Sequence, residues 1–253
     1  MEKILGLPVL ASEHGKHVDR LIIYVHWLMA LLFVGWIIYF AYAIFRFRKS
    51  RHPKADYIGV KSHASTWIEG AVVLAEAFLL LALAVPLWAK AVNQFPKESE
   101  STVVKVVAQQ FGWNVFYPGK DNIFGKQEMT KVTLENPFGF DASDPNGKDD
   151  IRNLLNEIHV PVNKPVIINL SSKDVIHSFK VIALRTTQDA IPGMMIPVHF
   201  TPTQVGKYQI NCAQLCGTGH YNMSNGILSV DTAEDYAQWL ATKSKGGGAT
   251  SFE

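Results

Sequence analysis

The sequence predicts a membrane protein in which a hairpin of two transmembrane α-helices is followed by an all-β domain outside the membrane. Long apolar stretches fill much of the first 95 residues, and after Pro96 they give way to short Val- and Ile-rich runs separated by turn residues. The hydrophobic content of 48% is also high for a purely soluble protein of 253 residues. We therefore divide the chain into an outer N-terminal flank (1–20), a transmembrane hairpin (21–95), a β domain (96–243) and a disordered tail (244–253).

The first transmembrane helix is predicted from residues 21–45, LIIYVHWLMALLFVGWIIYFAYAIF, a stretch without a charged residue. At about 1.5 Å per residue this stretch is longer than the roughly 30 Å hydrocarbon core of a bilayer. Residues 66–88 are long enough to form the second helix, although they include Glu69 and Glu76. The loop between the helices, RFRKSRHPKADYIGVK, is rich in Lys and Arg, so the positive-inside rule places it in the cytoplasm and both ends of the chain outside.

The β domain is predicted from runs such as TVVKVVAQ (102–109) and KPVIINLSS (164–172), which are typical of strands in a sandwich or barrel. Residues 232–243, TAEDYAQWLATK, have the capping residues and apolar spacing of one short terminal helix. The net charge of +2 averages a basic loop with a mixed outer domain and identifies no partner by itself. We expect contact with membrane lipid and no nucleic-acid partner.

The segment 136–156, NPFGFDASDPNGKDDIRNLLN, shows no strand alternation and is rich in aspartate. A Ca²⁺ loop needs oxygen ligands at every second position, and FDASDPNGKDD matches that spacing only loosely. A polar surface loop is the plainer interpretation.

Both cysteines of the chain lie in one short stretch, with the pattern Cys212-x3-Cys216-x3-His220-x2-Met223. A disulfide would close a very small loop and stabilise the fold little. Structural zinc is a second interpretation, with the two cysteines, His220 and a distant histidine as ligands, but it leaves Met223 without a role. Copper is the third, because thiolate and thioether favour Cu(I) and imidazole serves both oxidation states.

Two thiolates four positions apart can bridge two copper ions, each completed by one imidazole and one weak ligand. Such a centre needs a second histidine from elsewhere in the chain. The candidates in the outer domain are His159, His177 and His199. His177 is favoured because it lies in the strand-like run KDVIHSFKV, where a polar side chain in an apolar setting needs a partner.

The combined motifs closely resemble subunit II of cytochrome c oxidase. They are CAQLCGTGHYNM (212–223), DVIHSF (174–179) and DAIPG (189–193), and the resemblance extends over nearly the whole chain. It implies a cupredoxin-like Greek-key barrel that holds a binuclear copper centre, CuA. By this resemblance Cys212 and Cys216 are the bridging thiolates and His177 and His220 the imidazole ligands. Met223 and the main-chain carbonyl of Gln214 are then the two weak ligands.

The resemblance also implies a function. The chain is expected to be a subunit of a proton-pumping haem-copper oxidase in a bacterial inner membrane, with its copper domain on the periplasmic side. It would accept electrons from a c-type cytochrome, soluble or within a larger respiratory assembly, and pass them to the haem of subunit I, where O2 is reduced to water. The copper cysteines argue against a quinol donor. Two other functions remain open: a membrane-tethered copper-delivery protein without redox turnover and a zinc-stabilised adaptor.

One position departs from the family pattern. Relatives usually have a glutamate where this chain has Gln214, and that carboxylate contacts a Mg²⁺ at the boundary with subunit I. Because copper would take the main-chain oxygen, the change leaves CuA in place, whereas the Mg²⁺ would meet an amide where relatives offer a carboxylate.

Four further positions are singled out by the resemblance. Phe111 and Trp113, in AQQFGWNVFYPG (108–119), match an aromatic run through which electrons enter in relatives, although packing inside the barrel is the plainer role of such residues. Asp189 matches an acidic residue that helps a basic donor to dock. Glu69 matches a glutamate at the mouth of a proton pathway, and its plainer role is that of an interfacial acid. No role is assigned to Glu76.

Overall fold

The computed structural model describes residues 2–55 and 57–245, and the chain forms two compact units. One unit contains the residues up to Leu7 together with His17–Lys90, and the other contains Pro8–Lys16 and the chain from Ala91 onward. Of the predicted disordered tail, 244–253, only the first two residues are described, and they continue the terminal helix.

The first unit consists of helices. They are α1 (Glu2–Leu5), α2 (Gly15–Arg46), α3 (Ala64–Phe78), a π-helical segment (Leu79–Ala84) and α4 (Val85–Asn93). Helix α2 and the continuous helix Ala64–Asn93 each reach a mean hydropathy of 2.3 and are long and apolar enough to cross a membrane. Both begin before the predicted apolar runs, because the polar residues that precede those runs also adopt helical backbone. In a regular α-helix, the ring of a proline clashes with the carbonyl four residues earlier. For Pro86 that residue is Ala82, which lies in the π-helical segment.

Large apolar side chains cover the surface of both long helices. Phe33, Trp36 and Leu81 are 68%, 67% and 66% exposed. A soluble protein does not present such continuous apolar surface to water, whereas lipid covers it without cost. The two helices are therefore membrane spans.

The second unit is built from ten strands and a terminal helix. The strands are β1 (Thr102–Gln109), β2 (Gly112–Tyr117), β3 (Ile151–Leu155), β4 (Glu157–Pro161), β5 (Val166–Ser172), β6 (His177–Val181), β7 (Thr186–Ala190), β8 (Ile196–Phe200), β9 (Gly206–Cys212) and β10 (Gly226–Asp231), and the helix is α5 (Ala233–Lys245). One sheet has the order β3-β2-β1-β5-β8 and the other the order β4-β10-β9-β6-β7. Parallel pairs (β1 with β5, β4 with β10) join strands that are distant in sequence, so the domain is a two-sheet sandwich with crossover connections.

The core lies between the sheets. Val104, Val106 and Ala108 of β1 are fully buried, and their neighbours in the strand are partly exposed, as expected for a strand with one face on the core. Strand β2 is buried along its whole length. Its outer face is covered because Phe116 packs edge-on against Phe138 and Phe140, at ring-centroid distances of 5.1 and 5.4 Å.

The segment 136–156 was predicted to lack strands, and this is wrong for its end. Ile151–Leu155 form β3, which completes the sheet by pairing with β2. The strand was missed because β3 is a short edge strand, IRNLL, whose formation depends on its partner.

The aspartates before β3 hold the long β2–β3 loop together. Asp149, Asp150 and Asp144 accept hydrogen bonds from the backbone N–H groups of Lys120, Gly125 and Lys126, at 2.6, 3.0 and 2.8 Å. Each of these carboxylates therefore joins two parts of the same loop. This arrangement matches the predicted polar loop, in which the acidic side chains satisfy backbone donors.

Part of the N-terminal flank packs on the β domain. Ala11 is fully buried, its N–H donates to the carbonyl of Ala183 and its carbonyl accepts from the N–H of Thr203, both at 2.8 Å. The Ser12 hydroxyl donates to the carbonyl of Leu184 at 2.6 Å, and the Arg185 guanidinium donates to the carbonyls of Pro8 and Val9. The chain that enters α2 is thus fixed to the β domain immediately before the helix begins.

We predict that Ala11→Asp releases this flank in the full-length protein, because an unpaired charge at a fully buried position costs several kcal/mol. The matched control is Val9→Asp, since Val9 is 59% exposed. Tryptic cleavage after Lys16, followed by mass spectrometry in detergent, should be faster in Ala11→Asp and unchanged in Val9→Asp. Equal cleavage rates in the two variants would contradict the described packing.

Candidate metal centre

Two neighbouring strands and the loop after β9 carry the predicted metal ligands. Cys212 is the last residue of β9, and His177 is the first residue of β6. These strands are adjacent and antiparallel, with Phe179 opposite Cys212. The pairing therefore brings His177 next to Cys212 although 35 positions separate them.

The side chains of His177, Cys212 and Cys216 converge, and one ligand atom from each lies within 4.8 Å of the others. The His177 Nδ1 atom is 4.0 Å from the Cys212 Sγ atom, and the His220 Nδ1 atom is 3.3 Å from the Cys216 Sγ atom. Both cysteines are free thiols, so the disulfide interpretation is not the state of this structure. Each thiol thus has one imidazole nitrogen beside it.

The two predicted weak ligands lie on the same loop. The carbonyl oxygen of Gln214 is 3.0 Å from the Cys212 Sγ atom. Met223 lies in a 3-10 helix, His220–Asn225, and is fully buried. The Trp113 indole N–H donates to the Met223 carbonyl at 2.9 Å, which fixes the backbone of this helix to the core.

The centre is shielded from solvent. His177 is fully buried, Cys216 is 4% exposed and Cys212 is half-buried. Burial, together with the neighbouring Cys212, raises the pKa of the Cys216 thiol to about 11. A cation placed among these thiols would oppose that effect and favour the thiolate form that binds soft metals.

Asp174 holds the His177 ring. The Asp174 Oδ1 atom is 2.9 Å from the His177 Nε2 atom, on the side of the ring opposite Nδ1. Burial raises the pKa of Asp174, but hydrogen bonds from the Gln110 N–H, His177 and the Val175 N–H outweigh it, so the pKa lies below its ordinary value. An ionised carboxylate at this position keeps the proton on Nε2 and leaves the Nδ1 lone pair directed at the thiols.

The donor set fits copper. Two free thiols and two imidazoles are soft or borderline ligands and lie beside each other, with the Gln214 carbonyl next to Cys212 and the buried Met223 on the 3-10 helix that follows. Among the residues that the structure describes, only His177, Cys212 and Cys216 form a metal-binding group of this compactness.

The other histidines considered from the sequence lie elsewhere. His159 is held between Asp231 and Glu157, at 2.6 and 3.0 Å, and stacks on a tryptophan of α5. The His199 Nε2 atom is 3.0 Å from the carbonyl of Ala91. Of the three candidates, the structure brings His177 to the cysteines.

The aromatic residues singled out from the sequence occupy different positions. The Phe111 ring is half-buried and lies over the turn that connects Cys216 to His220. Trp113 is fully buried, and its ring packs edge-on against Phe179 and His177 at 5.5 and 6.3 Å. Trp113 therefore belongs to the core beneath the centre, whereas Phe111 is nearer the surface.

The acidic residues are also separated. Asp189 is half-exposed on β7, opposite Ser178 and next to the pair formed by Ala190 and His177. Glu69 and Glu76 are exposed on α3, in the helical unit.

Sequence reasoning missed the partners of the ligands. Asp174 belongs to the motif DVIHSF, and its spacing three residues before His177 is the sequence signal for its contact with the imidazole. Gln110 was not considered, and no sequence pattern points to it, because its contacts depend on how the β1–β2 turn packs.

Comparison with known proteins gives one consistent result. Residues 102–230 match the family described as cytochrome c oxidase subunit II, periplasmic domain. The alternative cytochrome c oxidase subunit 2 of Bradyrhizobium diazoefficiens is 31% identical over 91% of this chain and 81% of that protein. The probable cytochrome c oxidase subunit 2 of Rickettsia felis is 28% identical over 94% of this chain and 70% of that protein.

Among solved structures, the periplasmic domain of subunit II of the Bradyrhizobium japonicum cytochrome oxidase is 26% identical, with a TM-score of 0.45. The match covers 61% of this chain and 100% of the chain in that structure. The predicted fold class, two membrane helices with a cupredoxin-like β domain, is confirmed. Since the family match spans half of the chain and a relative of 31% identity is covered over most of its length, this chain belongs to the cytochrome c oxidase subunit II family.

Proposed function

We propose that this chain is the electron-accepting subunit of a proton-pumping haem-copper oxidase and binds a binuclear copper centre, CuA. The observation that carries the proposal is the convergence of His177 with two free thiols, together with the position of the His220 ring 3.3 Å from the Cys216 Sγ atom. When bound, this centre would accept electrons from a c-type cytochrome and deliver them to the haem of subunit I, where O2 is reduced to water.

Different residues of the chain have different roles in holding the proposed centre. Cys212 and Cys216 would supply the thiolate ligands, and His177 and His220 each direct an Nδ1 atom at one of these thiols. The Gln214 carbonyl and Met223 provide weak ligands. Asp174 fixes the ring of His177, and Trp113 anchors the Met223 backbone and closes the pocket from below. A rigid ligand set of this kind limits the rearrangement that accompanies electron transfer.

The two other functions considered from the sequence are less well supported. A copper-delivery protein needs ligands that an acceptor can reach, whereas His177 and Met223 are fully buried and Cys216 is 4% exposed. A zinc-stabilised adaptor would leave the buried Met223 without a role. Membership of the oxidase subunit II family also favours the redox function.

The setting of the centre follows from the same reasoning. The two membrane spans and the basic loop between them support placement in a bacterial inner membrane, with the copper domain on the periplasmic side. Subunit I and other oxidase subunits are the proposed permanent partners. At Gln214 the side chain offers a neutral amide oxygen in place of a carboxylate, so we propose that it binds Mg²⁺ more weakly than the glutamate of relatives would.

Electrons are proposed to enter over Phe111, because its ring lies directly on the loop that carries Cys216 and His220. Trp113 lies deeper and is proposed as part of the path only beneath the centre. Asp189, half-exposed on the strand next to His177, is the proposed docking contact for a basic c-type cytochrome. The negative charge of Asp189 would attract such a donor, and dissolved salt would screen this attraction.

We predict that Cys216→Ser abolishes the binuclear centre in the full-length protein, because one remaining thiolate cannot bridge two copper ions. Met223→Leu should retain the copper and shift its redox potential. Copper analysis per chain and redox titration of the detergent-purified protein measure both effects. A copper content in Cys216→Ser equal to that of the wild type would refute the bridging role.

The docking proposal predicts that a soluble cytochrome donor reacts more slowly as ionic strength rises. In the assembled oxidase, Asp189→Asn should slow the reaction severalfold at low salt without changing the copper spectrum. Glu234→Gln is the matched control, because Glu234 is exposed on α5, which packs on β4 and β10. If the reaction rate with the donor changes neither with ionic strength nor with either substitution, steered docking at Asp189 is excluded.

Glu69 is proposed to stand at the mouth of a proton pathway shared with subunit I. An ionised carboxylate at the centre of a bilayer costs on the order of 3 kcal/mol, but Glu69 lies in the second turn of α3, near the end of the span. We predict that Glu69→Ala slows turnover and proton uptake of the assembled oxidase, whereas Glu98→Gln, outside the spans, does not. Unchanged proton uptake in a fully assembled Glu69→Ala oxidase would end this proposal.

A further inference from the structure

The turn between β1 and β2 contacts both of the loops that supply metal ligands. Gln110 and Phe111 connect these strands and lie beside the segment before His177 and the segment after Cys212. The two loops are also joined directly, by the pairing of β6 with β9 and by a bond from the Ala213 N–H to the Ser178 carbonyl at 2.9 Å. The contacts of the turn form a second connection between the loops.

The first contact runs through the backbone of Gln110. Its N–H donates to the Asp174 Oδ2 atom at 2.7 Å. The other oxygen of the same carboxylate, Oδ1, is 2.9 Å from the His177 Nε2 atom. Asp174 therefore has one oxygen on the turn and the other on the His177 ring, and the orientation of the imidazole depends on the position of the turn.

The second contact runs through the Gln110 side chain. Its Nε2 atom donates to the main-chain carbonyl of Cys216 at 2.5 Å. The bond is made to a ligand residue itself. One residue thus reaches His177 through Asp174 with its backbone and Cys216 with its amide group.

Phe111 packs the turn against the segment after Cys212. A side chain at Gly219 would place its Cβ atom 2.4 Å from Phe111 Cδ2, and one at Gly217 would lie 3.2 Å from the same ring. Only residues without a side chain leave room for this contact. The packing holds Gln110 at the level of the Cys216 carbonyl.

We propose that Gln110 is a positioning residue that couples the two ligand-bearing loops of the metal centre. The inference rests on the proposed copper function. In the metal-free chain the two thiols and two imidazoles have no metal to hold them together, so their spacing depends on such contacts. Partners of this kind, one step removed from the metal, typically change metal affinity by about 10- to 100-fold when they are lost.

The test uses the full-length protein, purified in detergent and loaded with copper. Gln110→Glu has nearly the same shape but cannot donate a hydrogen bond to the Cys216 carbonyl, and Gln110→Ala removes the donor without adding charge. Gln109→Glu is the matched control: it adds the same charge one residue earlier, and the described residues show no hydrogen bond to the Gln109 side chain. The measurements are copper release to an excess of chelator, the visible spectrum, and thermal unfolding of the copper-free protein.

Both Gln110 variants are expected to release copper at least about tenfold faster than the wild type and to shift the absorption bands. Gln109→Glu should match the wild type, and the copper-free proteins should unfold at similar temperatures. Suppose that the wild type binds two copper ions and that both Gln110 variants have the same copper release rate and spectrum as the wild type. The role of Gln110 is then refuted, and the proposed function stands. A wild-type protein that takes up no copper overturns both.

Discussion

The pairing of β6 with β9 is the contact on which the metal centre depends. It places Phe179 opposite Cys212, and the first residue of β6, His177, therefore lies beside the last residue of β9. Because successive side chains of a strand alternate between faces, a shift of one residue in this register would turn His177 away from the thiols. The remaining ligands lie within the short loop and 3-10 helix that follow β9, where Gln110 and Trp113 hold the main-chain carbonyls of Cys216 and Met223.

The centre and the hydrophobic core share residues. Trp113 packs on Phe179 and His177, and its indole N–H holds the carbonyl of Met223. The same buried ring thus supports the sandwich and the floor of the metal pocket. One consequence is that the packing of the domain holds the proposed ligands in place, which would restrict their movement on a change in the charge of a bound metal.

The membrane spans and the β domain have local sequence signals. The apolar runs indicate the spans, and the spacing of Cys212, Cys216, His220 and Met223 marks the loop that carries most of the proposed ligands. Of the ligands that the family resemblance implied, the structure brings His177, Cys212 and Cys216 together. The choice of His177 needed the additional observation of a polar residue within an apolar strand. What the sequence did not show depends on tertiary packing. Strand β3 forms only because β2 offers it an edge, Ala11 is buried only because the flank pairs with the β domain, and Gln110 matters only through the packing of its turn.

We propose that two copper ions share the two thiolates of this chain. The most direct measurement is the electron paramagnetic resonance spectrum of the full-length, copper-loaded protein in its partly oxidised form. The proposed site predicts hyperfine splitting from one unpaired electron shared equally by two copper nuclei. A spectrum in which the electron interacts with a single copper nucleus, or a protein that binds zinc in preference to copper and gives no signal, would exclude a binuclear copper site.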